Sequence, residues 1–124
     1  MAPYIWVAST LENMETIYTA QKARPEYRAF LETGTPVIGI WDDHDYGVND
    51  GGKSFKYRLQ SQKVFLDFVD EPLDSVRRWR EGIYASYMYG GGERRVKVIL
   101  LDVRSHDVKG SECDVLGKLG PTYL

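Results

Sequence analysis

The sequence predicts a single α/β domain across its 124 residues. Three patterns carry that expectation. Apolar residues recur every three or four positions before Gly34 and again from Ser61 to Val69, the period of helices with one buried stripe. Pro36-Val37-Ile38-Gly39-Ile40-Trp41 is continuously apolar, as in a short strand covered on both faces. From Ile83 the period falls to two, and Gly90-Gly91-Gly92 separates two such runs, which signals a hairpin.

Taken in order, Ser9-Thr10-Leu11-Glu12 fits a capping box, with Ser9 bonding forward and Glu12 bonding back. Leu11, Met14, Ile17, Tyr18 and Gln21 then carry a helix to about Ala23. Pro25 suits the first turn of a second helix, where its missing N–H costs little. Tyr27, Phe30 and Leu31 are expected to face inward, and Gly34 stops that helix. The strand Pro36 to Trp41 follows; its Gly39 lets another backbone come close or marks a bulge. Phe55 to Leu59 reads as a connector and Ser61 to Phe68 as a helix, with Pro72 beyond it. Ser75 to Gly82 reads as a short helix capped by Ser75 and closed by Gly82. The run from Ile83 to Tyr89 is the first hairpin strand. The second, Arg95 to Leu101, turns fully apolar at Ile99 and is expected in the middle of a sheet. The tail, residues 109–124, shows little periodicity and is expected to be loosely ordered.

Composition removes several classes of function. Nine tyrosines and three tryptophans suit a packed globule and not a disordered tail. A net charge of −2 gives no bias toward nucleic acid. Arg77-Arg78-Trp79-Arg80 interleaves bases with an aromatic, but no nucleic-acid motif accompanies it. A solvated helix face with Trp79 turned inward is the simpler reading. No apolar run approaches the ~20 residues of a membrane span, and no export signal is evident, so no compartment is indicated. Cys113 is the sole cysteine, which excludes an internal disulfide and a thiolate zinc site.

The chemistry concentrates in Trp41-Asp42-Asp43-His44-Asp45-Tyr46-Gly47-Val48-Asn49-Asp50-Gly51-Gly52, directly after the apolar strand. Hard oxygen donors beside an imidazole, at the carboxyl end of a strand, suit a divalent cation and anionic substrates. A solvated acidic turn is the plain alternative. An EF-hand is excluded: counted from Asp43, Gly47 and Ser54 stand where oxygen ligands are required. A second polar cluster, Asp102-Val103-Arg104-Ser105-His106-Asp107, closes the second hairpin strand. Arg104 has two readings there, a bidentate phosphate clamp or an ion pair with Asp102 or Asp107. His106 reads as a surface histidine.

The segment from Pro36 to Gly52, centred on Trp41-Asp42-Asp43-His44-Asp45 and the following Asn49, resembles the PhoD-like (alkaline phosphatase D type) metallophosphatases, a branch of the calcineurin-like metallophosphoesterases. Phe65-Leu66-Asp67-Phe68, Glu71-Pro72, Gly82 to Tyr87 and the strand ending Leu101-Asp102-Val103-Arg104 support it, so the resemblance covers roughly Tyr27 to Arg104. It implies a β-sandwich flanked by helices that hydrolyses phosphate monoesters or diesters with divalent or mixed metal ions (Ca, Fe, Mn or Mg). By position it implies Asn49 as a metal ligand, His44 in or beside the catalytic shell, and Asp42 and Asp43 as ligands or as orienters of it; Arg104, in its clamp reading, is the substrate-binding candidate. The family's upstream Gly-Asp segment has no counterpart, since no aspartate precedes Asp42. Its downstream Gln and Trp-Leu region is also lacking after Leu116-Gly117. The expectation is therefore one partial domain over residues 1–124. Two outcomes follow from it: a phosphatase segment, or a non-catalytic relative that binds cations or a protein. Strand edges left without neighbours predict self-association or a partner chain that completes the sheet.

Overall fold

The computed structural model describes residues 11–107. The Ser9 end of the capping box, Cys113 and the tail 109–124 lie outside that range. The described chain is mixed helix and sheet: α1 (Leu11–Ala23), α2 (Pro25–Glu32), α3 (Asp43–Tyr46), α4 (Arg58–Phe68), a 3₁₀ turn (Val76–Arg78), β1 (Ala85–Gly91) and β2 (Arg94–Leu100).

The helices α1 and α4 pack through the stripes read from the sequence. Met14 is buried, and the Ser61 hydroxyl donates to its sulfur at 3.7 Å. Tyr18 stacks on Phe68 with ring centroids 4.5 Å apart and meets Phe65 edge-on at 6.2 Å. Ile17, expected on the same stripe, is 58% exposed. Ser61, read as the start of α4, lies fully buried inside it, because the helix begins three residues earlier at Arg58. α2 packs more loosely: Tyr27 stacks against Phe68, whereas Phe30 is largely exposed and no α2 residue is buried. The core comprises Trp41, Tyr46, Phe65, Leu66, Val69 and Ile83, fringed by Tyr18, Ile40, Phe55 and Phe68.

Several expectations are corrected. Pro36 to Trp41 forms no sheet ladder, because among the described residues no strand lies hydrogen-bonded beside it. Its Gly39 carbonyl instead accepts from the buried Arg77 guanidinium at 2.7 Å. Ser75 to Gly82 holds only a single 3₁₀ turn, and its polarity is reversed from the reading above: Trp79 is 80% exposed and Arg77 is buried. Arg77 is drawn inward by an ion pair to Glu71 at 2.7 Å and by bonds to the Ile83 and Gly39 carbonyls. The hydroxyl of Tyr87 completes its surroundings at 3.2 Å.

The hairpin forms with Ala85 opposite Leu100, Tyr87 opposite Val98 and Gly91 opposite Arg94. Gly92, at φ 57°, takes the first central position of the two-residue turn, where a positive φ is needed. β2 was expected inside a sheet. Among the described residues it has β1 as its neighbour on one side and a free edge on the other, and Val96 and Ile99 are exposed.

Candidate functional site

The structure joins the two polar clusters that are 60 residues apart in sequence, at three points. The Trp41 indole N–H donates to Asp102 Oδ1 at 3.0 Å. The Arg104 guanidinium donates to Asp42 Oδ1 from Nη2 at 2.5 Å and from Nε at 3.1 Å. The Lys53 amide donates to the Asp107 carbonyl at 2.9 Å, and a β-carbon on Gly52 would meet that carbonyl at 2.7 Å. The end of the extended segment and the end of β2 therefore form one surface.

Each side of this surface is braced from the core. On the acidic side, α3 is a single turn closed by a reciprocal capping box between Asp42 and Asp45, with the Asp42 amide donating to Asp45 Oδ2 at 3.3 Å. Tyr46 is buried, donates to the Gly52 carbonyl at 3.1 Å and meets Trp41 edge-on at 4.9 Å. Burial, together with the nearby Asp102 charge, pushes its phenol up to about 12. Gly47 ends α3 at φ 142°, against the Phe55 ring. From α1, the Tyr18 hydroxyl donates to the Asp45 carbonyl at 3.1 Å, and burial raises its pKa.

On the β2 side, Asp102 is the anchor. Besides Trp41, its carboxylate accepts from the amides of Ile83 at 2.7 Å, Ser105 at 2.9 Å and Arg104 at 3.1 Å, and from the Ser105 hydroxyl at 2.7 Å. Burial pushes this carboxyl up, but the bonds from Ser105, Trp41 and Ile83 outweigh it and hold the pKa below the usual aspartate value. Asp102 is thus committed to holding the Ile83 and Ser105 backbones in place. That leaves the Arg104 side chain to turn to Asp42, so the ion pair forms with neither of the partners read from the sequence. The Asp42 contact raises the Arg104 pKa.

The predicted site residues sit together on this surface. Asp43 Oδ2 accepts the Asp50 amide at 3.0 Å and its Oδ1 accepts the His44 amide at 2.8 Å; led by the Asp50 bond, these lower the Asp43 pKa. Asn49 donates to Asp50 Oδ2 at 2.7 Å, and Asp50 takes φ 52° to allow these contacts. His44, in α3, is exposed. Among the described residues no three Asp, Glu, His or Cys side chains converge to hold a metal ion. The donors of Asp42, Asp43 and Asn49 are turned to Arg104, to backbone amides and to Asp50, so on their own they do not fit a metal centre.

Sequence reading missed two residues. Arg77 was placed on a solvated face but is the buried link between Glu71, Gly39 and Ile83. Gln62, read as an outward polar residue of a helix, is buried and donates to the Arg77 and Arg80 carbonyls at 2.7 Å each. It also accepts from the Gly82 amide. For Gln62 the sequence signal was polarity within the apolar α4 segment; nothing near Arg77 in the sequence distinguishes it from Arg78 and Arg80. A groove of about 650 Å³ lies between α2 and the start of α4's exit, lined by Leu31, Pro36, Val37, Val69, Glu71 and Tyr87 among others, and holds none of the candidate residues. No helix among the described residues is long and apolar enough to cross a membrane. No family model matches this chain, and no curated protein or solved structure matches it.

Proposed function

We propose that this chain is a central segment of a PhoD-like metallophosphatase, a metal-dependent hydrolase of phosphate esters on a calcineurin-like β-sandwich flanked by helices. The observation that carries the reading is the surface on which Trp41 meets Asp102 and Arg104 meets Asp42. It sets the resembling Trp-Asp-Asp-His-Asp segment beside the resembling Leu-Asp-Val-Arg strand end. In this reading Asp42, Asp43 and Asn49 are a partial donor set for divalent or mixed metal ions (Ca, Fe, Mn or Mg), and the other ligands come from outside the described residues. In the same reading His44 would serve beside the reacting groups, in proton transfer to a leaving oxygen. Arg104, two donors of which already grip a carboxylate oxygen, is suited to a phosphoryl oxygen when Asp42 releases it.

A second reading has its own support. The carboxylates are already engaged by protein groups, which favours a non-catalytic relative that binds a cation weakly or a protein partner. One experiment separates the two. Hydrolysis of a generic phosphate ester is measured with added Mn²⁺, Ca²⁺ or Fe³⁺, together with metal content, for the wild type and His44→Ala. Metal-dependent turnover that falls by about 10²-fold or more in the variant supports the enzyme. No turnover with any of the metals refutes it for this chain and leaves the binding module.

A further inference from the structure

The free edge of β2 supports an inference that does not depend on the phosphatase reading. Among the described residues the sheet has two strands, and an isolated two-stranded ribbon is only marginally stable in water; further strands or packing against a helix are needed. The seven residues of β2 present an edge roughly 24 Å long at ~3.4 Å per residue, a template for another strand. Val96 and Ile99 are 62% and 61% exposed, and Leu101, just beyond, is 68% exposed.

Charge along this edge is strongly polarised. Arg94, Arg95 and Lys97 are exposed at the start of β2, and none forms an ion pair among the described residues. The other end runs into Asp102 and the acidic loop. There Asp42, Asp43 and Asp107 lie around one ion-paired arginine, Arg104. A strand with a basic start that runs out into an acidic surface is complementary to itself when reversed.

We propose that β2 is the edge at which two copies of this chain join, antiparallel about a two-fold axis at Val98, to give a four-stranded sheet in the order β1-β2-β2-β1. The register follows from the side chains. An axis at Lys97 would set two ammonium groups opposite each other, and one at Val96 would set Arg95 against Lys97; like charges directly opposed destabilise a sheet. The Val98 axis is the one nearest the strand centre that avoids both. It places Lys97 opposite Ile99, Val96 opposite Leu100 and Arg95 opposite Leu101 of the second copy. Arg94 then points at the acidic surface around Asp102 of the second copy. The half-buried row of Tyr87, Val98 and Leu100 stays on one face of the joined sheet in both copies. A closed two-fold join also takes the β2 edge out of further pairing and leaves β1 at both outer edges of the joined sheet.

Sedimentation equilibrium of the full chain tests this. The expected result is a monomer–dimer equilibrium that weakens as salt rises, because exposed charges carry part of it. The double variant Arg94→Glu, Arg95→Glu is expected to weaken dimerisation by about tenfold or more with an unchanged far-UV spectrum. The register has a separate test in Val98→Cys on a Cys113→Ser background. Residues on the axis bring their β-carbons within about 4.5–5.5 Å, so mild oxidation is expected to give a covalent dimer. A chain that stays monomeric, a dimer that is indifferent to both arginine reversals, or a dimer that fails to cross-link through position 98 overturns the proposal.

Discussion

Removing the Asp102 carboxylate is expected to be among the most damaging single changes to this fold. Its two oxygens accept from the Trp41 indole, the Ile83 and Ser105 amides and the Ser105 hydroxyl, at 2.7–3.0 Å. Trp41, Ile83 and Ser105 are all buried, so in Asp102→Ala at least three donors lose their acceptor where water does not reach easily. At about 1–3 kcal/mol per orphaned donor, reduced by relaxation and water entry, the expected loss is about 3–5 kcal/mol. Asp102→Asn preserves the shape but not the charge. Its oxygen can keep the Trp41 and Ser105 amide bonds, while its amide nitrogen faces the Ile83 N–H that was donating at 2.7 Å. A loss of about 2–3 kcal/mol is expected for that variant, the range of a charged hydrogen bond.

The assay is urea unfolding followed by far-UV circular dichroism and tryptophan fluorescence, for wild type and both variants, at neutral pH and across the acid range. The sign of the pH effect is fixed by the depressed pKa of Asp102 in the fold. Its stabilisation is complete above the ordinary aspartate value of about 3.9 and is lost as pH falls through the lower folded value. Neither Asn nor Ala titrates, so the gap to wild type should narrow in acid. An Ala variant within about 1 kcal/mol of wild type at pH 7, or a gap that stays constant into acid, refutes the anchoring role.

The other stability predictions concern residues that the core closes around. Arg77→Met is expected to cost about 3–5 kcal/mol in the same urea assay, because it strands the largely buried Glu71 carboxylate and the Gly39 and Ile83 carbonyls. Arg77→Lys should recover only part, since one ammonium cannot span three acceptors held by a planar fork. Gly47→Ala adds a β-carbon 2.5 Å from the Phe55 ring at φ 142°, and its strain and overpacking predict a loss of about 2–4 kcal/mol, read as a lowered melting temperature.

Residues whose role is local were legible in the sequence. Met14 and Tyr18 follow helical spacing, and they lie on the face of α1 that meets α4. The alternation from Ile83 and the triple glycine identified the hairpin, because a strand's period and a positive-φ turn are properties of a few adjacent residues. The acidic loop was recognised for the same reason. What failed were statements about neighbours. Pro36 to Trp41 carries the composition of a buried strand, yet a ladder needs a second strand in register, and among the described residues none is set beside it. Arg77 and Trp79 exchange places because a guanidinium that finds one carboxylate and two carbonyls can be buried at little cost, and that set of partners is spread over forty residues.

By itself, then, the sequence determined α1, α2, the body of α4, the hairpin and the concentration of donors between Trp41 and Gly52. Tertiary structure alone decided that Asp102 serves the backbone, that Arg104 therefore turns to Asp42, and that β2 keeps an open edge among the described residues. A side chain's own chemistry is set by its covalent structure. Its partner is set by competition among all the donors and acceptors that folding brings within about 3 Å, and linear spacing does not record that competition.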